Sequence, residues 1–291
     1  MDKWTELRTA YQVAKLGTVS AAATALGFHR ATVNRHIDTI EEALGSRIFL
    51  RHGRGYTLTE LGEEVLRVAQ KTEALIEDLA GRAKGGKTRI EGEIKLSILE
   101  PFSPLIMAPL RRFRGLHPAC RVDVSASEDL ARLEYGEAHI ALRAGAKPSH
   151  PDYVVGLFAR MGFNLYAHDK YIERHGMPEN EQDLHRHFFV APPQDQPRLP
   201  YSPWLSQNVK PGQLSVASLN PIVNFTAIAA GLGIGFLGDF QGGKGQGLHR
   251  ILPPNEAWQV PLWLVTHVDL HRTEKVQSML ACLKEAKPTA N

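Results

Sequence analysis

The sequence contains little cysteine, since Cys120 and Cys282 are the only two among its 291 residues. Two thiols so far apart cannot supply a disulfide framework, so the class of disulfide-rich secreted proteins is excluded and a reducing compartment is expected. A redox switch is one interpretation of the pair. The alternative is that both are small hydrophobic side chains buried in a core.

The sequence also lacks a membrane segment. No apolar run approaches the roughly 18 residues that a spanning helix needs, and Met1 to Trp4 do not have the character of a signal peptide. A hydrophobic fraction of 43% with 22% charged residues is ordinary for a globular protein, and the length allows two or three domains. We therefore expect a cytoplasmic protein without a membrane partner.

Catalytic and cofactor motifs are missing as well. The chain has no G-x-S-x-G, and neither cysteine has a reactive local motif. Residues 233–238 match G-x-G-x-x-G, but a helical run precedes them and a strand-like run follows, which reverses the order that nucleotide binding needs. His267, Asp269 and His271 alternate as metal ligands can, yet a polar strand end explains them better. We therefore predict a protein that is not an enzyme and holds neither metal nor cofactor.

Excess charge is small and unevenly placed. The net charge is +3, with 14 Lys and Arg against 11 Asp and Glu in residues 1–89, whereas the charges of residues 90–291 cancel. An excess this small does not by itself predict nucleic-acid binding. The excess is consistent with a few phosphate contacts made by individual basic residues in the first third of the chain.

That third contains two helical segments separated by a glycine. Residues 20–42 read as a short alanine-rich helix, a break at Gly27 and a second helix. Apolar side chains of the second helix recur at gaps of four, three and four, which places them on one buried stripe: Val33, Ile37, Ile40 and Leu44. The opposite face presents Ala31, Arg35 and Asp38, with Thr32, Asn34 and Thr39 beside them.

Small, amide, hydroxyl and guanidinium groups in this arrangement suit the base edges of a DNA major groove. The pattern favours a helix-turn-helix, although two amphipathic helices joined at a glycine are also common in α-rich proteins. The flanks favour DNA binding. Upstream, a covering helix is indicated by the stripe of Trp4, Leu7, Tyr11 and Ala14, and downstream residues 51–59 read as a basic turn between extended runs, typical of a wing. Arg54 at its tip suits phosphates or a narrow minor groove.

Residues 4–62 resemble the amino-terminal domain of LysR-type transcriptional regulators. The motifs that carry the resemblance include GTVSAAA at 17–23, GRG at 53–55 and LTELG at 58–62. The sequence departs from the family at residues 29–34, where HRATVN replaces the usual Ser-Gln-Pro-Ala-x-Ser, so no operator sequence is borrowed from relatives. The predicted DNA-contacting residues are Thr18, Ser20, His29, Arg30, Ala31, Thr32, Asn34, Arg35, Asp38, Arg51 and Arg54.

Residues 59–87 contain no proline and read as one long helix capped by Thr59. Its apolar side chains follow the 3.5-residue repeat of paired helices. Such a stripe is more often core, but a helix that links two domains has little chain to cover it. As in the family, we predict a dimer seam formed by Leu61, Val65, Val68, Thr72, Leu75 and Leu79, followed by a hinge at residues 84–89.

From Ile90 onwards, β-type runs alternate with helical runs, which indicates βαβ units on a parallel sheet. The predicted order is a strand at 90–98, a helix at 104–118, a strand at 120–126, a helix at 129–138 and a strand at 139–145. A helix at 220–230 follows in a second lobe, and a crossing strand at 262–266 and a closing helix at 273–284 return to the first. Motifs at 133–143 and 230–235 resemble the effector domain of LysR-type regulators, itself similar to periplasmic solute-binding proteins.

The expected fold class is therefore α/β overall, in three parts. These are an all-α-dominated winged helix-turn-helix domain at 1–58, a linker helix and hinge at 59–89, and a two-lobed α/β effector-binding domain at 90–291. Within the last part, lobe I comprises 90–162 and 267–291, and lobe II comprises 163–266.

Ligands of α/β sheets bind beyond the carboxyl ends of strands, against helix amino-termini. This rule predicts an effector site formed by Leu99, Glu100, Pro101, Phe102, Ser103, Ser127, Glu128, Arg143 and Asn220. Free N–H groups there favour an anionic effector such as a carboxylate, whereas Glu100 and Glu128 favour one that also carries a cation. His139 stands where relatives often have an aspartate, and we expect it to alter the charge near the cleft.

The resulting hypothesis is a homodimeric or homotetrameric LysR-type regulator that places two recognition helices on the half-sites of an operator. Its partners would be double-stranded operator DNA, a small organic effector and, if it activates, RNA polymerase. The effector would act by preferring one arrangement of the two lobes. Two alternatives stay open: an effector-independent repressor, and an enzyme that acts on the ligand of the second half.

Overall fold

The computed structural model describes residues 3–52, 55–83, 90–127, 131–193, 196–242 and 245–285. The chain begins with three helices, α1 (Trp4–Leu16), α2 (Val19–Leu26) and α3 (Arg30–Leu44). Gly27 turns the chain between α2 and α3 with φ of 68°, a left-handed conformation that glycine adopts without steric cost. The hairpin of β1 (Phe49–His52) and β2 (Gly55–Leu58) follows. The predicted winged helix-turn-helix is confirmed.

The core of this domain is the stripe predicted for α3, since three of its members are fully buried: Val33, Ile37 and Ile40. The stripe predicted for α1 is wrong in its first turn. Trp4 is 44% exposed, and α1 instead turns Ala10 and Val13 into the core. These small side chains let α1 lie close against α2 and α3, which a large indole at the same interface would prevent.

Helix α4 (Glu60–Ala83) begins at the predicted cap, Thr59. The Thr59 hydroxyl accepts the N–H of Gly62 at 3.0 Å and donates to the carbonyl of Arg47 at 2.8 Å. A side chain at Gly62 would not fit, because its Cβ would lie 2.1 Å from the carbonyl oxygen of Ile48. The first turn of α4 is therefore fixed against the chain that leads into β1.

Lobe I is built on β3 (Gly92–Ile98), α5 (Ser103–Leu116), β4 (Cys120–Ala126) and β5 (Ile140–Ala144), with β3 parallel to both β4 and β5. The helix predicted at 129–138 is wrong over its described part. Only a single 3-10 turn forms, at Leu133–Tyr135, and it ends at Gly136, whose φ of 69° breaks a helix.

Two long strands cross between the lobes, β6 (Tyr153–His168) and β11 (Gln259–His267). They pair with each other antiparallel, and β11 is also antiparallel to β5. The sheet of lobe I is therefore mixed, whereas the sequence predicted a parallel one. The reason is that the chain returns to lobe I through β11, which enters from the opposite end.

The α-helices and further strands in the described part of lobe II are α6 (Asp169–His175), β7 (Phe189–Ala191), α7 (Ser202–Asn208), β8 (Leu214–Ala217), α8 (Pro221–Ala229), β9 (Gly235–Gly238) and β10 (Leu248–Arg250). The predicted helix at 220–230 is confirmed, with Asn220 as its cap. The core of lobe II is aromatic, since the Tyr201 and Phe236 rings stack at 4.2 Å and Trp258 packs edge-on against Phe236.

The chain closes on lobe I with α9 (Val268–His271) and α10 (Glu274–Glu285), which packs against α5. The Cys120 and Cys282 thiols are buried in the core of lobe I, as the hydrophobic interpretation of the pair predicted. Within the described ranges, no helix has both the length and the apolar character to cross a bilayer. The domain and lobe boundaries given above stay predictions.

Replacing Gly62 by alanine should lower the free energy of unfolding by about 1–3 kcal/mol, because α4 or the chain before β1 must shift to accommodate the methyl group. Thermal or denaturant unfolding of the full chain measures this. Gly115→Ala, within α5, is the matched control, since nothing lies within 4 Å of a Cβ there. Equal stability of the two variants would contradict the close approach.

Candidate DNA-binding surface and effector cleft

The outward face of α3 is open to solvent. Arg30, Ala31, Arg35 and Asp38 are exposed, and His29, the exposed residue before the helix, makes no capping hydrogen bond through its side chain. Thr32 and Asn34 are half-buried beside them. The side chains that were predicted to read base edges thus lie opposite the buried stripe, where a major groove can reach them.

Asn34 is oriented by the wing. The Tyr56 hydroxyl of β2 donates to Asn34 Oδ1 at 3.2 Å, and the Tyr56 ring packs edge-on against Phe49 with 5.4 Å between centroids. Because the amide oxygen accepts this bond, the amide NH₂ is left to donate elsewhere. Asn34 is therefore held in one orientation before any DNA is bound.

Two of the residues predicted to contact DNA form an ion pair with each other. The Arg51 guanidinium of β1 forms an ion pair with Asp38 and lies 3.5 Å from Glu41 Oε2. The hydrogen bond to Asp38 is the main cause that raises the pKa of Arg51. Each charge is thus partly compensated within the protein. The main role of this ion pair is therefore to join the wing to α3.

Glu41 was not among the predicted site residues. Its buried carboxylate accepts the N–H groups of Ile48 at 2.9 Å and Phe49 at 3.1 Å, in addition to facing Arg51. It thereby ties the last turns of α3 to β1. The sequence does contain a signal for this role, because Glu41 directly follows the buried stripe residue Ile40. An unpaired carboxylate at such a position would be costly, so it needs partners.

The remaining predicted phosphate contacts lie at the start of α2 and in the wing. The Thr18 hydroxyl accepts the N–H of Ala21 at 3.2 Å as the cap of α2, and Ser20 is exposed in the first turn. Backbone N–H groups at this helix start add to the attraction for phosphate. Arg54 lies outside the described residues.

Helix α4 has two faces with different surroundings. On the predicted seam, Leu61 and Val65 pack against the winged-helix core. Further along, Val68 is 49%, Leu75 46% and Leu79 59% exposed, and Thr72 between them is half-buried with its hydroxyl bonded to the Val68 carbonyl. The second half of the seam is therefore left largely exposed by the described residues.

The opposite face of α4 packs against lobe I, which the sequence did not predict. Lys71 Nζ donates to Asp269 Oδ2 of α9 at 2.7 Å, and Arg132 approaches Glu63 at 3.8 Å. The Arg67 guanidinium lies 5.9 Å from the centre of the Tyr135 ring. Helix α4 thus joins the DNA-binding part to lobe I of the same chain.

The strand ends of lobe I bring most of the predicted effector residues together. Leu99 packs on the core, Glu100 is exposed, and Glu100, Pro101 and Phe102 form a 3-10 turn that leads into α5 at Ser103. The Ser127 N–H donates to the Ile98 carbonyl at 3.2 Å, which places the ends of β3 and β4 side by side. Glu128 lies outside the described residues.

Phe102 and Asn220 differ from the other predicted effector residues. The Phe102 ring is buried in the core of lobe I and lies edge-on to Phe240, with 6.4 Å between centroids. Asn220 lies in lobe II, where its Oδ1 accepts the N–H groups of Ile222 at 2.8 Å and Val223 at 3.3 Å. It caps α8 and has no bond with the lobe I residues among the described hydrogen bonds.

Arg143 is a half-buried cation at the end of β5. Its Nη1 donates to Ser97 Oγ at 3.2 Å and its Nη2 to the carbonyl of Ala131 at 3.1 Å. Burial lowers the pKa of its guanidinium. No described carboxylate lies within ion-pairing distance of Arg143. A bound anion would therefore form both an ion pair and hydrogen bonds with its guanidinium.

The expectation for His139 is wrong. His139 precedes β5 and therefore lies at the amino end of the parallel strands, the edge opposite the predicted effector cleft. Its Nδ1 accepts the N–H of Lys95 at 2.9 Å. Burial first, and then the nearby Lys275 and Lys95, lower the pKa of His139 to about 3, so the ring is neutral and adds no charge to the cleft.

Two family profiles match the chain. "Bacterial regulatory helix-turn-helix protein, lysR family" matches residues 4–63, and "LysR substrate binding domain" matches residues 87–288. The chain belongs to the LysR family. Its members are transcriptional regulators, not enzymes, and they bind DNA and small-molecule effectors and form oligomers.

Individual relatives agree with this membership. An HTH-type transcriptional regulator of Xanthomonas campestris pv. campestris is 30% identical over 185 residues, which cover 62% of this chain and 52% of that protein. The chain thus spans about half the length of that relative. The crystal structure of ArgP from Mycobacterium tuberculosis superimposes with a TM-score of 0.69 at 17% identity, covering 97% of this chain and 96% of ArgP. LysG from Corynebacterium glutamicum, solved with bound effector Arg, gives 0.67 at 16% identity, covering 99% and 98%. These superpositions show that the chain shares the fold of the two structures.

In this LysR-family chain, Glu41→Ala should lower the free energy of unfolding by about 1–3 kcal/mol, because two buried N–H groups lose their acceptor. Denaturant unfolding of the full chain measures the change. Glu42→Ala, at the exposed neighbouring position, removes the same charge and should shift stability by no more than about 0.5 kcal/mol. Similar losses in both variants would refute the structural role of Glu41.

Proposed function

We propose that this LysR-family protein binds operator DNA in the cytoplasm as a homodimer or homotetramer and that a small-molecule effector controls this binding. One observation carries the proposal. The face of α3 with Arg30, Ala31 and Arg35 is open while the opposite face is sealed into the core. A helix presented in this way, beside a wing, fits a major groove.

Base reading is assigned to few side chains. Ala31 offers a methyl group to thymine, and Asn34 and Arg35 offer donors to base edges. Thr18, Ser20 and Arg30 would hold the backbone, with Arg54 at the wing. Because Asp38 and Arg51 pair with each other, we assign them to the shape of the surface more than to base reading.

The proposed effector is a small organic molecule with a carboxylate. Support comes from Arg143, whose described hydrogen-bond partners are neutral, and from the first turn of α5, which follows the end of the neighbouring strand β3. The cleft would lie between lobe I at 90–162 and 267–291 and lobe II at 163–266, and the effector would shift their closure. If the protein activates transcription, RNA polymerase is a further partner.

Replacing Arg35 by alanine tests the proposal. If Arg35 reads a base, operator affinity should fall by about 1–3 kcal/mol with relaxed preference at one base pair, measured by fluorescence anisotropy on matched and mutated operator fragments. Arg111→Ala removes an exposed arginine from α5 and should leave affinity unchanged. Unaltered operator binding by the Arg35 variant would contradict the assigned face.

A further inference from the structure

A cavity of about 70 Å³ lies where three parts of the chain meet. Helix α1 contributes Lys15, α4 contributes Gln70 and Lys71, and lobe I contributes Lys95 and Lys275. We call this the junction cavity. It lies at the amino end of the strands, away from the cleft, so it is separate from the proposed effector site.

The walls of the junction cavity carry an excess of positive charge. Four ammonium groups line it, against the carboxylates of Glu73 and Glu93. Lys15 lies 3.9 Å from Glu73, and Lys71 pairs with Asp269 at 2.7 Å, so four ammonium groups face three carboxylates. Glu93 already faces Arg121 and Lys95, and Glu73 accepts a hydrogen bond from the Tyr11 hydroxyl at 2.8 Å. The neutral His139 ring adds no charge. Like charges gathered from three parts of the chain favour an anion between them.

A second observation points to a ligand with a hydrogen-bond donor. Gln70 lines the cavity, and its Oε1 is buried without a hydrogen-bond partner among the described residues. A buried amide oxygen without a donor is costly, so such atoms are rarely left unsatisfied. Monohydrogen phosphate carries oxygens that accept from ammonium groups and one O–H that can donate to an amide, whereas sulfate carries acceptors alone.

We propose that the junction cavity binds a small tetrahedral oxyanion of the phosphate class, as a second ligand site that couples the DNA-binding domain to lobe I. The anion bridges Lys15 of α1, Lys71 of α4 and Lys95 of β3 and relieves their repulsion. Bound phosphate therefore stabilises the packing of α1 and α4 on lobe I. The effect on DNA rests on the proposed function, whereas binding itself does not.

The test uses the full chain with inorganic phosphate as the probe. Phosphate is titrated at constant ionic strength, and both the melting temperature and the heat of binding are recorded. We expect a saturable rise in melting temperature, a weaker response to sulfate, and about tenfold weaker phosphate binding in Lys95→Ala. Lys15→Ala, on another domain, should weaken binding likewise, so a local folding defect in β3 cannot account for the result.

Lys210→Ala is the matched control, because this exposed lysine lies in lobe II, outside the cavity. It should bind phosphate like the parent. A response that is not saturable, or one that is equal in the parent and the Lys95 and Lys15 variants, would overturn the site. Phosphate binding without any operator binding in any buffer would instead contradict the proposed function and leave the site intact.

Discussion

The structure depends on the two faces of α4. A straight helix fixes which side chains share a side, so Glu63, Arg67 and Gln70 must face away from Val68, Leu75 and Leu79. In the first set, Glu63 forms an ion pair with Arg132 of lobe I, and the Arg67 guanidinium lies over the Tyr135 ring. The second set is uncovered in the single chain. One helix therefore joins the DNA-binding domain to lobe I and also carries an exposed apolar face, which we propose as the surface for a second copy.

Charged side chains also connect the elements of the DNA-binding domain. Glu41, Asp38 and Arg51 join α3 to the wing through hydrogen bonds and ion pairs. Charges used in this way are less available to DNA, and for this reason we propose Asn34 and Arg35 as the polar side chains that read bases. The modest net charge of +3 agrees with a DNA interface that relies on individual side-chain contacts more than on long-range electrostatic attraction.

Much of the fold was predictable because its signals are local. The α3 stripe, the Thr59 cap and the Asn220 cap each follow from spacing within a few residues. The errors arose where distant segments decide the outcome. The exposure of Trp4 depends on how closely α1 meets its neighbours, and the antiparallel β11 depends on where the chain re-enters lobe I. The contacts of Lys71 and His139 join residues nearly 200 and 44 positions away, which periodicity cannot reveal.

We propose that the exposed apolar face of α4 pairs two copies of the chain. Sedimentation velocity of the double variant Leu75→Glu, Leu79→Glu tests it most directly, with Met177→Glu, an equally exposed apolar position outside α4, as the control. Charged side chains on the seam should yield a monomer, because a paired interface would bury like charges, while the control sediments as the parent does. An unchanged oligomer in the double variant would contradict the claim.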